Sequence, residues 1–247
     1  MSLEDLKSII DNSDNIVFLG GAGVSTESNI PDFRSNNGLY KAKNNLKYSP
    51  ETMLSHSFFE KHTEEFFDFY KNQMIYRNAK PNLAHYALVE LEKIGKLKAI
   101  ITQNIDGLHQ LAGSKNVLEL HGSVHRNYCV GCSEKYDVEY ILDDKNNNKD
   151  IPRCKKCGGI VRPDVVLYEE GLDMDIVNKA IHYVENADVF IVGGTSLVVY
   201  PAAGLVNYYN GKKLVLINKS KTPYDKGANL VIHDSIGTIL GKLILKN

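Results

Sequence analysis

Short apolar runs alternate with helical stretches along most of this chain, and that alternation restricts the fold more than any other feature. The runs are Asn15–Leu19, Leu97–Thr102, Val117–Leu120, Asp188–Val192, Lys213–Ile217 and Asn229–Ile232. Buried-type strands joined by helices predict an α/β fold built on a parallel sheet. Leu3, Leu6, Ile9 and Ile10 recur at helical spacing and predict a first helix. Pro81 to Ile94 reads as another, with the proline near its start.

Two stretches interrupt the pattern. Residues 35–79 are rich in Asn, Lys and aromatics, including Phe58, Phe59, Phe66, Phe67, Phe69 and Tyr70. They predict short helices whose rings pack as core. Residues 124–162 hold all four cysteines, and Asp143–Asp150 within them reads as a polar loop tip. Hydrophobic residues make up 43% of the chain, enough for a sizeable core, and the formal net charge is -1. A nucleic-acid binder usually carries a basic excess, so that class is disfavoured. Met1–Lys7 lacks a basic stretch leading into an apolar run, and no stretch has the length of a membrane span. The expected compartment is therefore the cytoplasm, with no membrane partner.

Chemistry-bearing residues gather at predicted strand ends. Gly20-Gly21-Ala22-Gly23-Val24-Ser25 follows the first strand. Glycines let a backbone come close to a pyrophosphate, and a helix start offers free N–H groups to an anion. Thr26 stands where a third glycine would complete G-x-G-x-x-G, so a simple tight turn stays open as the alternative. Thr102-Gln103-Asn104-Ile105-Asp106 lies at the carboxyl end of the second strand, the edge where open α/β sheets bind ligands. Capping of the following helix by Asn104 or Asp106 is compatible with ligand contact. His121 follows Leu118-Glu119-Leu120 and is the best acid–base candidate of the eight histidines, although a structural role stays open. Gly193-Gly194-Thr195-Ser196 and Asn218 end two later strands and are weaker signals.

Cys129, Cys132, Cys154 and Cys157 form two C-x-x-C pairs enclosing 21 residues, 133–153. Each pair supplies two thiolates from one knuckle, which suits tetrahedral zinc, and Gly158-Gly159 suits the turn. Four thiolates leave no open position, so the metal is expected to be structural. A redox dithiol is the alternative. His125 lies nearby but is not needed as a ligand.

Taken together these segments resemble the sirtuin family. The matching ones are Gly21-Ala22-Gly23-Val24-Ser25, Ile30-Pro31-Asp32-Phe33-Arg34, Thr102-Gln103-Asn104-Ile105-Asp106, His121-Gly122, the two C-x-x-C pairs, Gly194-Thr195-Ser196-Leu197 and Ile217-Asn218, in the family's order. The resemblance implies a Rossmann-type large domain (1–34, 80–123 and 164–247). It implies a small domain made of a helical module (35–79) and a zinc ribbon (124–163). It further implies NAD-dependent removal of acetyl or other acyl groups from protein lysines, giving nicotinamide, free lysine and O-acyl-ADP-ribose. Transfer of ADP-ribose to protein is the alternative reaction, and a zinc-ribbon binding module the alternative class.

By the same resemblance Ala22, Gly23, Ser25, Thr26, Arg34, Ser196 and Asn218 line the dinucleotide site, with Asp32, Gly194, Thr195 and Ile236 beside them. Gln103, Asn104, Ile105 and Asp106 hold the ribose and the carboxamide, Asn104 next to the chemistry. Phe33 covers the reacting ribose and His121 is the general base. The substrate strand, from an acetylated-lysine protein or peptide, lies between Val165–Glu170 and Leu197–Tyr200. Val166, Tyr168, Glu169, Val198 and Val199 form that cleft. The family usually has Gly where Glu169 stands, and a carboxylate at the rim is expected to alter peptide preference. Members that prefer succinyl or malonyl groups carry Tyr-x-x-Arg in the helical module. Here Tyr70 is followed at that spacing by Gln73, and Arg77 directly follows Tyr76.

Overall fold

The strands, in chain order, are β1 (Ile16–Gly20), β2 (Leu97–Thr102), β3 (Val117–Glu119), β4 (Gly122–Cys129), β5 (Lys135–Tyr136), β6 (Asn147–Asn148), β7 (Ile151–Pro152), β8 (Val161–Val165), β9 (Val189–Gly193), β10 (Lys213–Ile217) and β11 (Leu230–Ile232). The computed structural model describes residues 3–33, 38–39, 47–148 and 151–245. Six strands form one sheet in the order β11-β10-β9-β1-β2-β3, and every neighbouring pair is parallel. The chain builds outward from β1 to β3, then restarts beside β1 with β9. That order is the doubly wound Rossmann arrangement, whose ligand crevice lies where the direction of building reverses. Here the crevice falls at the carboxyl ends of β1 and β9, where Gly20 and Gly193 stand side by side.

The central strands are apolar because both faces are covered. All five residues of β1 and of β9 are buried. Leu6, Phe18, Leu88, Ile191 and Ile239 pack one face and Leu19, Val184, Phe190 and Leu216 the other. Each such side chain contributes roughly 1.5–3 kcal/mol relative to exposure. The first face is covered by helices α1 (Leu3–Asp11) and α5 (Leu83–Lys93) and by the last helix, α6 (Ile236–Ile244). Asn82 caps α5 by accepting from Ala84 N at 2.9 Å, and its Nδ2 donates to Val24 O and Ser28 Oγ. The cap thereby ties the helix to the turn after β1.

That turn departs from the expectation of a helix start. Two 3₁₀ turns, Ala22–Val24 and Thr26–Ser28, follow β1 in place of an α-helix. Their glycines serve packing between loops. A Cβ on Gly23 would meet Gly194 Cα at 2.7 Å, and Gly194, at φ +60, would put one 2.4 Å from Val24 N.

The smaller region joins the helices α2 (Pro50–Met53), α3 (His56–Lys61) and α4 (Thr63–Gln73) to the ribbon strands. Phe58, Phe59, Phe66, Phe67, Phe69 and Tyr70 are all buried and share one core with Val124, Ile141 and Val161 of the ribbon. The aromatics are packing groups, as the sequence implies. Strand β4 pairs antiparallel with β5 and β8. The segment read as a polar loop tip carries a 3₁₀ turn, Asp144–Asn146, capped by Asp143, and a β6–β7 pairing. Among the described residues no helix is long and apolar enough to cross a membrane.

Candidate active site

The strand ends bring Ser25, Asn104 and Asp106 together from positions about eighty residues apart. Ser25 Oγ donates to Asp106 Oδ2 at 2.6 Å, and Asn104 Nδ2 donates to Ser25 Oγ at 3.1 Å. Asp106 Oδ1 accepts from Leu108 N at 2.9 Å. Asp106 therefore caps the next turn and orders the site at once. Burial pushes its carboxyl above the usual range, against the Ser25 and Leu108 hydrogen bonds. Gln103 donates its backbone N–H to Gly20 O at 2.9 Å, and its Oε1 accepts from Thr195 Oγ1 at 3.2 Å. Among the described residues its Nε2 is buried without a partner.

His121 sits at the hinge between β3 and β4. Its Nδ1 lies 2.9 Å from the carbonyl oxygen of Gln103. A carbonyl only accepts, so Nδ1 carries the proton and Nε2 keeps the lone pair. Burial lowers the imidazole pKa, and the Gln103 carbonyl opposes the shift in part. The arrangement holds a neutral ring with its basic nitrogen available, which is the state a general base requires.

The four cysteines converge as expected. Their sulfurs all lie within 4.8 Å of one another, with Cys129–Cys157 at 3.4 Å and Cys132–Cys154 at 3.6 Å. A zinc ion with thiolates at about 2.3 Å requires sulfurs about 3.8 Å apart, so the set fits tetrahedral zinc. Gly131 N and Lys156 N point at Cys129 and Cys154, as in a metal knuckle. A Cβ on Gly159 would meet Cys129 Sγ at 2.9 Å, which explains that glycine. His125 is not part of the cluster.

The remaining expected residues are distributed as follows. Ala22, Gly23, Thr26, Gly194 and Thr195 lie on the facing loops after β1 and β9, where Thr26 Oγ1 donates to Gly23 O and Gly23 N to Gly194 O. Ser196 follows them. Asn218, after β10, turns its Nδ2 to Ser220 O at 2.8 Å. Asp32 O accepts from Leu39 N, Phe33 packs against the small-domain core, and Ile105 does the same. Arg34 lies outside the described residues. Ile236 is 2% exposed, and its Cδ1 fills the space beside Gly193 at the carboxyl edge of the sheet. Val166 N donates to His121 O, Val198 is exposed, and Val199 O accepts from Ala203 N. Glu169 is exposed, and its carboxylate is held by α3. Both its oxygens are engaged by Ser57, at 2.9 and 3.0 Å. Arg77 pairs with Glu139 rather than turning toward Tyr70.

Residues 21–201 match the profile of the Sir2 family. The chain belongs to the Sir2 family. An NAD-dependent protein deacetylase of Clostridium tetani is 70% identical over 241 residues, covering 98% of this chain and 96% of that protein. One of Cutibacterium acnes is 51% identical, covering 97% and 96%. A Sir2 structure with a deacetylated p53 peptide and 3'-O-acetyl ADP ribose superposes with TM-score 0.88 at 41% identity, covering 97% of this chain and 96% of that one. A Sir2 bound to an acetylated peptide gives TM-score 0.87 at 40% identity, covering 98% and 97%.

Within this Sir2-family site two contacts escaped the sequence. His125 Nε2 lies 2.9 Å from the Asp106 carbonyl, and its ring fills the space a Cβ on Gly107 would need. Arg126 bridges Glu119 and Asp164, bracing β3 against β8 around His121. The only signal for either was proximity to His121 in sequence, which does not specify a partner.

Proposed function

We propose that this protein is an NAD-dependent protein lysine deacetylase, yielding nicotinamide, free lysine and O-acetyl-ADP-ribose. The observation that carries the reading is His121: its Nδ1 proton is committed to Gln103 O, and its basic Nε2 stands at the carboxyl edge of the sheet. The residues fit NAD. The unpartnered Gln103 Nε2 is a donor suited to a carboxamide or ribose oxygen, and the Ser25–Asn104–Asp106 cluster adds hydroxyl and amide groups. NAD supplies a ribose carbon whose leaving group, nicotinamide, departs as a neutral molecule.

The chain's own work is then positional. Asn104 and Asp106 orient the ribose side. Thr195, Ser196 and Asn218 hold the adenosine half, with Ala22, Gly23 and Thr26 near the phosphates. Arg34 and Asp32 complete the cofactor set, and Phe33 shields the reacting centre, where water would simply hydrolyse NAD. Holding the acyl oxygen and the ribose carbon at near-attack distance removes much of the entropic barrier. His121 Nε2 then takes a ribose hydroxyl proton. Val166, Tyr168, Glu169, Val198 and Val199 form the peptide cleft. The four cysteines hold structural zinc away from these steps.

The division into a large domain (1–34, 80–123, 164–247), a helical module (35–79) and a ribbon (124–163) is supported by the separate sheet and aromatic cores. Reduced thiols held for a metal suit a reducing compartment, and we assign the protein to the cytoplasm, acting on proteins rather than nucleic acid or membrane. Labelled NAD tests the reaction. Label recovered in O-acetyl-ADP-ribose supports deacetylation, and label retained on protein favours ADP-ribosyl transfer instead.

A further inference from the structure

Glu169 occupies a backbone position that a side chain rarely takes. Its φ is +77, in the left-handed region, where glycine sits without cost. It is the third residue of a turn, Leu167–Glu170, closed by Glu170 N donating to Leu167 O at 3.1 Å. The three residues 168–170 all grip the start of helix α3, each in its own way. Tyr168 does so through its main chain, donating to Leu54 O and accepting from His56 N, both at 3.0 Å. Glu170 points inward to Arg162 at 2.7 Å, Leu167 N at 2.8 Å and His56 Nδ1 at 2.8 Å. Glu169 lies outside these contacts and meets Ser57 of α3 through its side chain. Its Oε2 accepts from Ser57 N at 2.9 Å and its Oε1 from Ser57 Oγ at 3.0 Å.

A carboxylate in the first turn of a helix is favourably placed for the helix dipole. Its more specific consequence lies in what it leaves available. The N–H and C=O of Glu169 have no partner among the described residues, while those of Tyr168 are taken. An extended peptide adds to a sheet edge through such unpaired groups, and it binds more tightly when the edge is already ordered.

We infer that Glu169 is a positioning residue: its carboxylate clamps the Leu167–Glu170 turn to Ser57 of α3 and so holds the Glu169 main chain ready to pair with the acetyl-lysine peptide. The inference rests on the deacetylase reading for its substrate. It differs from a rim charge that selects basic peptides in acting through Ser57 of the chain itself rather than on the charge of the peptide. The clamp acts on any peptide, whatever its charge.

The test is steady-state kinetics on two acetyl-lysine peptides, one with basic and one with acidic flanks, joined to amide hydrogen exchange. Glu169→Ala is expected to raise KM for both peptides about fivefold, within the range for the net loss of a typical hydrogen bond, with kcat and the KM for NAD within about twofold of wild type. Glu169→Gln keeps an acceptor oxygen for Ser57 and is expected to stay within about twofold. Glu169→Gly relieves the backbone, so it melts no lower than Glu169→Ala, yet shows the same raised peptide KM. A purely structural role would move KM and melting temperature together. The amides of Tyr168 and His56 are expected to exchange faster in Glu169→Ala. A KM rise confined to the basic peptide, a KM unchanged in Glu169→Ala, or unchanged exchange at those two amides overturns the clamp. If the wild-type protein fails to deacetylate, the functional reading falls and the exchange data alone decide the clamp.

Discussion

The central sheet and the ribbon reach order by different routes. Strands β1 and β9 are buried along their whole length between two apolar layers that large-domain helices complete. The ribbon has two-residue strands at β5, β6 and β7, and its apolar core is shared with the aromatic helices α3 and α4. Its own concentrated feature is the set of four sulfurs. The sheet is stabilised by area, the ribbon by a metal and by a neighbour. The chemistry sits where they meet: Val124 N donates to Ile105 O and Val166 N to His121 O, so ribbon and ribbon-flanking backbone fix the loops that carry the site.

Metal removal breaks this comparison most severely. Stripping zinc with a chelator is expected to unfold the small domain and abolish activity, while calorimetry still registers a transition from the large domain. Full activity in a metal-free sample would contradict the division. His121→Ala should spare both regions and lose turnover by about a hundredfold or more, with zinc content and melting temperature unchanged. Turnover within a few-fold of wild type would remove His121 as the base. Because burial lowers its pKa, the acidic limb of kcat/KM should fall below pH 6.5, where an ordinary histidine titrates.

Acyl choice probes the aromatic half of the small domain. Among the described residues the Tyr70 hydroxyl is buried without a partner, and Arg77 pairs with Glu139. A carboxylate entering beside Tyr70 gains no Arg from the expected spacing, and burying it unpaired is costly. The expected kcat/KM for acetyl-lysine exceeds that for succinyl-lysine at least about tenfold in one peptide sequence, and a reversed order would refute this view of the pocket.

The last test separates the regions by pH. His85 and His109 lie with ring centroids 4.7 Å apart and tilted planes in the large-domain core, and burial pushes His85 down to about 4 and His109 well down too. Both are neutral in the fold, whereas the unfolded chain takes up protons near 6.5. Their contribution is fully present above pH 6.5 and is lost as pH falls toward 4, by up to about 1.4 kcal/mol per pH unit for each group. Denaturant titrations of His85→Gln should show a shallower acid slope, and an unchanged slope would exclude the pair as the source.

Much of this was legible in the sequence because it is local. A run such as Lys213–Ile217 reports a buried strand by itself, and C-x-x-C spacing reports a metal knuckle by itself. The illegible parts are contacts between distant segments. Gly23 invites a phosphate-loop reading, yet its missing Cβ makes room for Gly194, 171 positions later. Ile236 stands beside Gly193 as packing. Nothing in the sequence ties the Glu169 carboxylate to Ser57, 112 residues earlier, which the fold places against it. Ser25 and Asp106 share a hydrogen bond that no periodicity announces.

The central claim, that His121 and the strand-end cluster serve acyl transfer from lysine to NAD-derived ADP-ribose, is tested most directly by mass spectrometry. An acetyl-lysine peptide is incubated with the zinc-loaded protein, with and without NAD. The account predicts loss of the acetyl group only when NAD is present, with O-acetyl-ADP-ribose and nicotinamide formed in equal amounts to the free lysine. Deacetylation without NAD, or NAD consumed while the peptide keeps its acetyl group, would contradict it.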